Sequence, residues 1–314
     1  MNQPLMTGFP SPDFFVGKFL HWLELYGAAW PATVAGMQQL GLVLAAALAA
    51  EMAMIGWQRC SLHKLLRPSA SAKNDAPALL LTCLNLDGIV QAAMTLGTLY
   101  VATRAARQFA GDYVIIQFSN PMLTTLAYIL VIDLFAYWIH RLSHCVPLLW
   151  ALHRYHHSAS EMNMVNGFRV HPVYSAIYAL WMCIPLIFLG VPAEYPLVIG
   201  VLFRFHGLLK HSNLESDWGW FGRILLQSPQ AHRLHHSIDE QHQNRNFSDT
   251  FQFWDLLFGT ELDASVHGRR PLRFGVRDDA GTGHPLGYIL RIYAEFLGAC
   301  IPPLRPPPKP QSSA

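Results

Sequence analysis

Apolar residues along this chain gather into long runs separated by short polar stretches. Met37–Trp57 (MQQLGLVLAAALAAEMAMIGW), Leu79–Val101 and Pro121–Ile139 (PMLTTLAYILVIDLFAYWI) each approach the ~20 apolar residues a helix needs to cross a bilayer. Glu51 and Asp87 interrupt the first two, so an unusually apolar soluble bundle is the competing reading. A fourth apolar region, Val173–Leu209, breaks at 189-LGVPAEYP-196. There Gly190, Pro192 and Pro196 predict a helical hairpin, either a shallow re-entrant pair or two spans. The segment 285-PLGYILRIYAEFLGACI-301 predicts an amphipathic helix along the interface, and the tail PPLRPPPKPQSSA a Pro-rich disordered end. The pattern as a whole predicts an all-α fold, an integral membrane helical bundle.

Composition sharpens this picture. The chain is 52% hydrophobic and 13% charged, with a mean hydropathy of +0.23, about half the charged share of an ordinary soluble domain. A net charge of +2 without a basic run argues against a nucleic-acid partner. The five cysteines show neither CxxC nor paired spacing, which excludes a disulfide framework and a thiolate zinc site. The start, MNQPLMTGFPSPDFF, lacks the basic region of a signal peptide and is read as mature sequence. Arg59, Lys64, Arg67 and Lys73 follow the first predicted span, and Arg141, Arg154 and Arg169 follow the third. Lys18 stands before the first span and Arg104 and Arg107 after the second, so the basic bias predicts a multi-pass protein with residues 58–78 and the histidines on the cytoplasmic side.

Against so little charge, sixteen histidines stand out. In 133-DLFAYWIHRLSH-144, Asp133, Tyr137, His140 and His144 fall on one helical stripe. Two copies of HxxHH follow, His153/His156/His157 and His232/His235/His236, each of which places its imidazoles on a single face if helical. At this histidine content, chance gives one HxxHH in about one chain in twenty-five and two in about one in a thousand. A metal site is therefore the stronger reading than solvated or core histidines. Eight imidazoles exceed the four ligands of one tetrahedral zinc, so two metals fit the count. Imidazole suits iron, zinc, copper or nickel, and spacing alone leaves the identity open.

HxxxH followed by two HxxHH boxes resembles the fatty acid hydroxylase/sterol desaturase superfamily of membrane oxygenases. The approach D-x-x-x-Y-W-x-H-R-x-x-H, then 169-RVHP-172, 210-KHSN-213 and 254-WDLLFGT-260, is similar to that family in the same order, from about Asp133 to Thr260. One departure is 246-NFSD-249 where many members have Asn-Tyr-Gly, a change expected to alter a turn without touching a ligand. The resemblance implies a non-haem centre of two iron ions, with zinc as an occupant on isolation. That centre would use O2 as co-substrate to hydroxylate or desaturate a C–H bond of a lipid, sterol or fatty acyl chain. It implies ligation by His140, His144, His153, His156, His157, His232, His235 and His236, with His211 in KHSN and nearby His206 added to the set. His171 is either a ligand or a donor to one. On this reading the chain divides into an N-terminal segment (1–36), N-terminal membrane helices (37–120), a histidine-box region (121–262) and a C-terminal interfacial helix with its tail (263–314).

Metal-bound imidazoles usually give their second N–H to a carboxylate or carbonyl. Asp133 is the preferred partner, with Asp239, Asp249 and Asp255 as further candidates. Arg141, Arg154 and Arg233, each after the first histidine of a box or pair, are expected to meet acids, lipid phosphate or the interface. Neither a GxGxxG, a haem CxxCH nor iron–sulfur spacing is present, so electrons are expected from a separate electron-transfer protein or a reduced pterin. The partners are then a lipid substrate and the bilayer. Ether-lipid cleavage is an alternative within the same superfamily. A metal transporter would spread its ligands along several spans, and a bis-His haem protein would need only isolated histidines on facing helices.

Overall fold

The first helix, α1 (Pro12–Ile55), runs through the first apolar stretch and stops where Gly56 takes a left-handed conformation at φ 77° and its N–H closes on the Met52 carbonyl at 2.9 Å. The computed structural model describes residues 12–84, 86, 90, 119–188, 194–268, 270–276 and 285–300. Side chains at 12–33, 121, 183, 186–188, 194–199 and 285 are not included in that description. The chain separates into two compact units, residues 1–42 and 43–314. The first unit, where described, is helical throughout. Everything below concerns the second.

Its helices are the remainder of α1, then α2 (Ser61–Leu66), α3 (Asp75–Cys83), α4 (Pro121–Cys145), α5 (Pro147–His157), α6 (Pro172–Phe188), α7 (Glu194–His211), α8 (Gly219–Ile224), α9 (Pro229–His235), α10 (Phe253–Leu257), α11 (Ala264–His267) and α12 (Pro285–Cys300). Among the described residues there is no β-strand, only the isolated bridges Leu226–Phe251 and Ser237–Phe274. Helix α4 starts at an Asn120 cap that accepts the Met122 N–H at 2.9 Å, with Pro121 at the first helical position. Pro147 ends the α4 run and opens α5, which folds back against α4.

Two stretches, Val34–Ile55 and Met122–Cys145, are long and apolar enough to cross a membrane. The span expected at Leu79–Val101 falls largely outside the described residues, since α3 ends at Cys83. The hairpin is present as α6 and α7, its break at 189–193 lying outside the described residues. Helix α12 is present too, but its inner face is used on protein. Tyr288, Ile289 and Ile292 pack with Leu152 and Tyr155 of α5 and with Val173 and Tyr174 of α6. Arg154 pairs with Glu295 across the same contact. A second cluster joins Val43 and Ala47 of α1 to Met164 and to Leu208 of α7.

Two charged residues in these apolar surroundings, Glu51 and Arg169, are met by partners inside the protein. Glu51 is fully buried, accepting the Ser61 N–H at 2.7 Å, the Ser61 hydroxyl at 2.9 Å and the Asn213 N–H at 2.8 Å. Its carboxylate fastens the end of α1 to the turn after α7. Arg169, one of the basic residues behind the orientation argument, is likewise fully buried against Asp75, and its guanidinium also donates to Ser71 and to the Ser158 hydroxyl. Asn163 and Asn166 each donate to the other Asp75 oxygen at 2.9 Å. Arg169 is a strut between α3 and the chain after α5, and it does not count toward a charged loop.

Candidate metal centre

Four helices deliver the histidines. His140 and His144 stand one turn apart on α4; His153, His156 and His157 end α5; His211 ends α7; His232 and His235 lie on α9, with His236 at its C-cap. They form two groups, in each of which one ring nitrogen per residue lies within 4.8 Å of those of the others: His140, His144, His153, His157 and His235 in one, and His156, His211, His232 and His236 in the other. The two boxes are therefore interleaved. In each, the first and fifth residues share a group (153 with 157, 232 with 236), while the fourth, the middle histidine, crosses to the other group. On a helix the residues at i+3 and i+4 straddle position i and point about 100° apart, so one HxxHH turn faces two neighbouring points at once. The expectation that each box serves a single face is corrected accordingly.

The nitrogen spacings suit a cation. Nε2 of His211 lies 3.2 Å from that of His156 and 2.9 Å from that of His232, which lies 3.0 Å from His236 Nε2. His153 and His157 approach at 3.3 Å. Metal–nitrogen bonds of about 2.0–2.1 Å give nitrogen–nitrogen edges of about 3.0 Å at right angles and about 3.4 Å in a tetrahedron. Backbone carbonyls fix which nitrogen faces inward. His140 Nδ1 donates to the Phe247 carbonyl at 2.7 Å, His235 Nδ1 to Arg245 at 2.9 Å and His211 Nδ1 to Gly207 at 2.8 Å. A carbonyl only accepts, so the proton sits on Nδ1 and a bare Nε2 lone pair points into the cluster. The buried Nε2 atoms of His144 and His235 have no hydrogen-bond partner. So many inward lone pairs without donors are costly unless a cation meets them. Burial, and then the neighbouring imidazoles, hold His153, His156, His157, His232, His235 and His236 well below the usual histidine range, in the neutral form a metal requires.

Two sequence candidates lie elsewhere. His206 is five residues before His211 on α7, well round the helix from it, and donates through Nε2 to the Gln227 carbonyl at 2.9 Å. It belongs to neither group, which corrects its inclusion among the ligands. His171 points its Nε2 at the Ile289 carbonyl of α12 at 3.2 Å, and its Nδ1 accepts the Val173 N–H at 3.3 Å.

The carboxylates also differ from expectation. Asp133 touches no box histidine; it accepts the N–H groups of Thr250 at 3.0 Å and Phe251 at 2.9 Å and the Trp254 indole at 3.0 Å, pinning the α10 approach to α4. Asp255 does the bracing: it accepts the N–H groups of Phe247 at 2.8 Å and Ser248 at 2.9 Å and the Thr260 hydroxyl at 2.7 Å. Those bonds fix the peptide whose Phe247 carbonyl takes the His140 proton, so 246-NFSD-249 does reach a box histidine, contrary to expectation. Asp239 pairs with Arg273 at 2.5 Å and Asp249 with Lys210 at 2.6 Å. Arg141 lies over the Trp138 ring and donates to the Tyr137 hydroxyl at 3.2 Å. Arg233 meets Asn213 at 3.1 Å and Glu215 at 3.3 Å.

Sequence reasoning missed Gly167, since no pattern around it marks it out. A Cβ there would sit 3.2 Å from His211 Nδ1. Gly167→Val is expected to push the His211 ring out of its group and lower metal affinity by about 10–100-fold, the range for lost support of a ligand. Metal titration against a competing chelator reads this out; affinity equal to the parent's would show that the ring has room to move.

Both histidine groups border a cavity of ≈ 340 Å³, reached by His140, His153, His156, His211 and His232 and closed by Leu152, Val170, Tyr174, Tyr178, Lys210 and Asp249, among others. It lies at the small end of the ~300–1,000 Å³ typical of ligand pockets.

Residues 125–260 match the model of the family described as Fatty acid hydroxylase. The ornithine lipid hydroxylase OlsE of Rhizobium tropici is 35% identical over 124 residues, 40% of this chain and 37% of that protein. Human alkylglycerol monooxygenase is 29% identical over 143 residues, 44% of this chain and 31% of that protein. Methylsterol monooxygenase 1-3 of Arabidopsis thaliana is 26% identical over 166 residues, 49% and 52% respectively. The chain thus spans about a third of the first two relatives, 37% and 31%. No solved structure matches it.

Proposed function

We propose, for a chain whose residues 125–260 belong to the fatty acid hydroxylase family, that it is a membrane-bound oxygenase using O2 to hydroxylate a C–H bond of a lipid. The observation that carries this reading is the pair of interleaved imidazole groups, without a carboxylate in either, opening on a cavity walled by Leu152, Val170 and Tyr174. Nine histidines are the proposed ligands: His140, His144, His153, His157 and His235 for one metal, His156, His211, His232 and His236 for the other. Iron is the proposed occupant, and a redox-active pair held there supplies the activation of O2 toward an unactivated C–H bond. The chain's own residues orient His140, His211 and His235 through backbone carbonyls and keep the imidazoles neutral by burial. They also line the cavity with Leu152, Val170 and Tyr174, an apolar wall for the substrate.

In this reading α1 and α4 cross the bilayer and further segments make the protein multi-pass, with the histidine end of α4 toward the cytoplasm. An alkyl chain then enters the cavity from the lipid, and electrons arrive from a separate protein or a reduced pterin. Ether-lipid cleavage is the second reading, favoured by the relatives named alkylglycerol monooxygenase. A transporter is disfavoured by the gathering of the histidines into two groups, and a bis-His haem protein by their number.

Elemental analysis of detergent-purified protein, with an optical spectrum alongside, is the test. Two irons per chain, no haem band and O2-dependent conversion of a lipid are expected. Haem, or a carefully prepared chain without metal, would remove the proposal; two zincs with no turnover after iron reconstitution would remove its redox part. Chelation of the metals is expected to lower the thermal unfolding midpoint, because it returns the inward lone pairs to an unsatisfied state. An unchanged midpoint after verified metal loss would contradict the assignment of these residues as ligands.

A further inference from the structure

The cavity beside the histidines carries one pair of charged side chains, Lys210 and Asp249. The Lys210 side chain is 5% exposed, and its ammonium gives two of its three protons to Asp249, at 2.7 Å to the carbonyl and 2.6 Å to Oδ1. The other carboxylate oxygen, Oδ2, takes no hydrogen bond from a described residue. The Asp249 side chain is 46% accessible, and it lines the cavity. Of the neighbouring polar groups, the Tyr174 hydroxyl bonds Ser143 at 2.9 Å and the imidazoles of His156, His211 and His232 converge on one another, while Ser175 and Tyr178 also line the cavity and are uncharged. The cavity therefore offers a free acceptor beside an ammonium with one proton to spare.

We infer that Lys210 and Asp249 bind the hydroxyl group of an alcohol-bearing alkyl substrate in this cavity. An alcohol matches both halves of the pair, donating to Asp249 Oδ2 and accepting the remaining Lys210 proton. An ammonium headgroup meets the Lys210 charge and a carboxylate meets that of Asp249, so each fits half the pair and opposes the other. An ether cannot donate, and an alkane satisfies neither group. The inference rests on the proposed role of the cavity as the lipid site, and it deepens that role by naming the substrate class. Because the cavity is small and also bordered by both histidine groups, the hydroxyl end of the chain lies near the proposed metals. The oxidised carbon is then close to that hydroxyl, and the remainder of the chain points away.

The test uses the full chain in nanodiscs and two probes of equal heavy-atom count, dodecan-1-ol and 1-methoxyundecane, measured by equilibrium binding against empty nanodiscs. The parent is expected to prefer the alcohol by about tenfold or more, the span of a hydrogen bond to a charged group. Asp249→Leu with Lys210→Met is expected to reduce that preference to within about twofold, because the paired apolar replacement removes both partners without stranding a charge. Asp249→Asn, which keeps size and shape, is expected to fall between and serves if the double variant does not fold. Equal binding of the two probes by the parent, or a preference undiminished in a folded variant, overturns the inference. O2 uptake is measured separately. Alcohol preference without O2-dependent turnover upholds the hydroxyl site and removes the oxygenase reading, whereas turnover without preference removes the hydroxyl site alone.

Discussion

His232→Ala is expected to leave the protein folded, to take the bound metal well below one per chain, and to reduce O2-dependent turnover by well over a hundredfold. His232 is central to its group: its Nε2 lies 2.9 Å from His211 and 3.0 Å from His236, so its loss removes one of the two nitrogens, with that of His211, that have a close neighbour on either side. The effect should exceed the about 10–100-fold that follows loss of a mere supporting partner. His206→Ala supplies the contrast. That ring bonds the Gln227 carbonyl and stands outside both groups, so metal content and turnover should stay within about twofold of the parent, with the loss of one hydrogen bond, ~1 kcal/mol, confined to stability. Metal analysis and O2 uptake on both variants check the assignment. Equal metal loss in the two would place His206 among the ligands and refute the grouping.

The largest effect on stability is expected at Asp75→Ala. Asp75 accepts hydrogen bonds from Asn163, Asn166 and Arg169, all of them buried, and the Arg169 guanidinium is fully enclosed. Removing the carboxylate strands that charge, a change that costs about 3–5 kcal/mol in buried pairs. Replacing both partners, Asp75→Leu with Arg169→Met, should cost much less than the single change, because no charge is then left unpaired. Unfolding midpoints of the parent, Asp75→Leu, Arg169→Met and the double variant form the cycle that measures it. If the double variant is as unstable as Asp75→Ala, the two asparagines, and not Arg169, carry the effect.

How far the sequence revealed this protein depends on the range of each interaction. The helices around the histidines were legible because periodicity and proline positions are local: α4 continues past Ile139 to carry both His140 and His144, and Pro147 opens α5. That the eight box histidines would gather was legible because their spacing is itself helical, whereas His211 entered only through the resemblance carried by KHSN. Interleaving of the boxes was not, since it depends on how α5 and α9 face each other across some eighty residues of chain. The supporting carboxylate was misassigned for a related reason. Asp133 shares a helical stripe with His140, yet its oxygens are taken by backbone from residues 250 and 251, while Asp255 reaches His140 only through the Phe247 peptide. Gly167 gave no signal at all, because the need for a missing Cβ arises only when His211 arrives from α7.

The interleaving bears on how the centre fills. Because α5 and α9 each serve both groups, the first of the two proposed ions to arrive would fix the two helix ends that also carry the second set of histidines. It therefore lowers the ordering entropy left for the second to overcome, a coupling that needs no contact between the ions. Loading should then be cooperative, with half-filled chains scarce at intermediate metal concentrations. A repeated motif in one polypeptide would here behave as a single all-or-none unit, and damage to either copy would empty both positions before it merely weakened one.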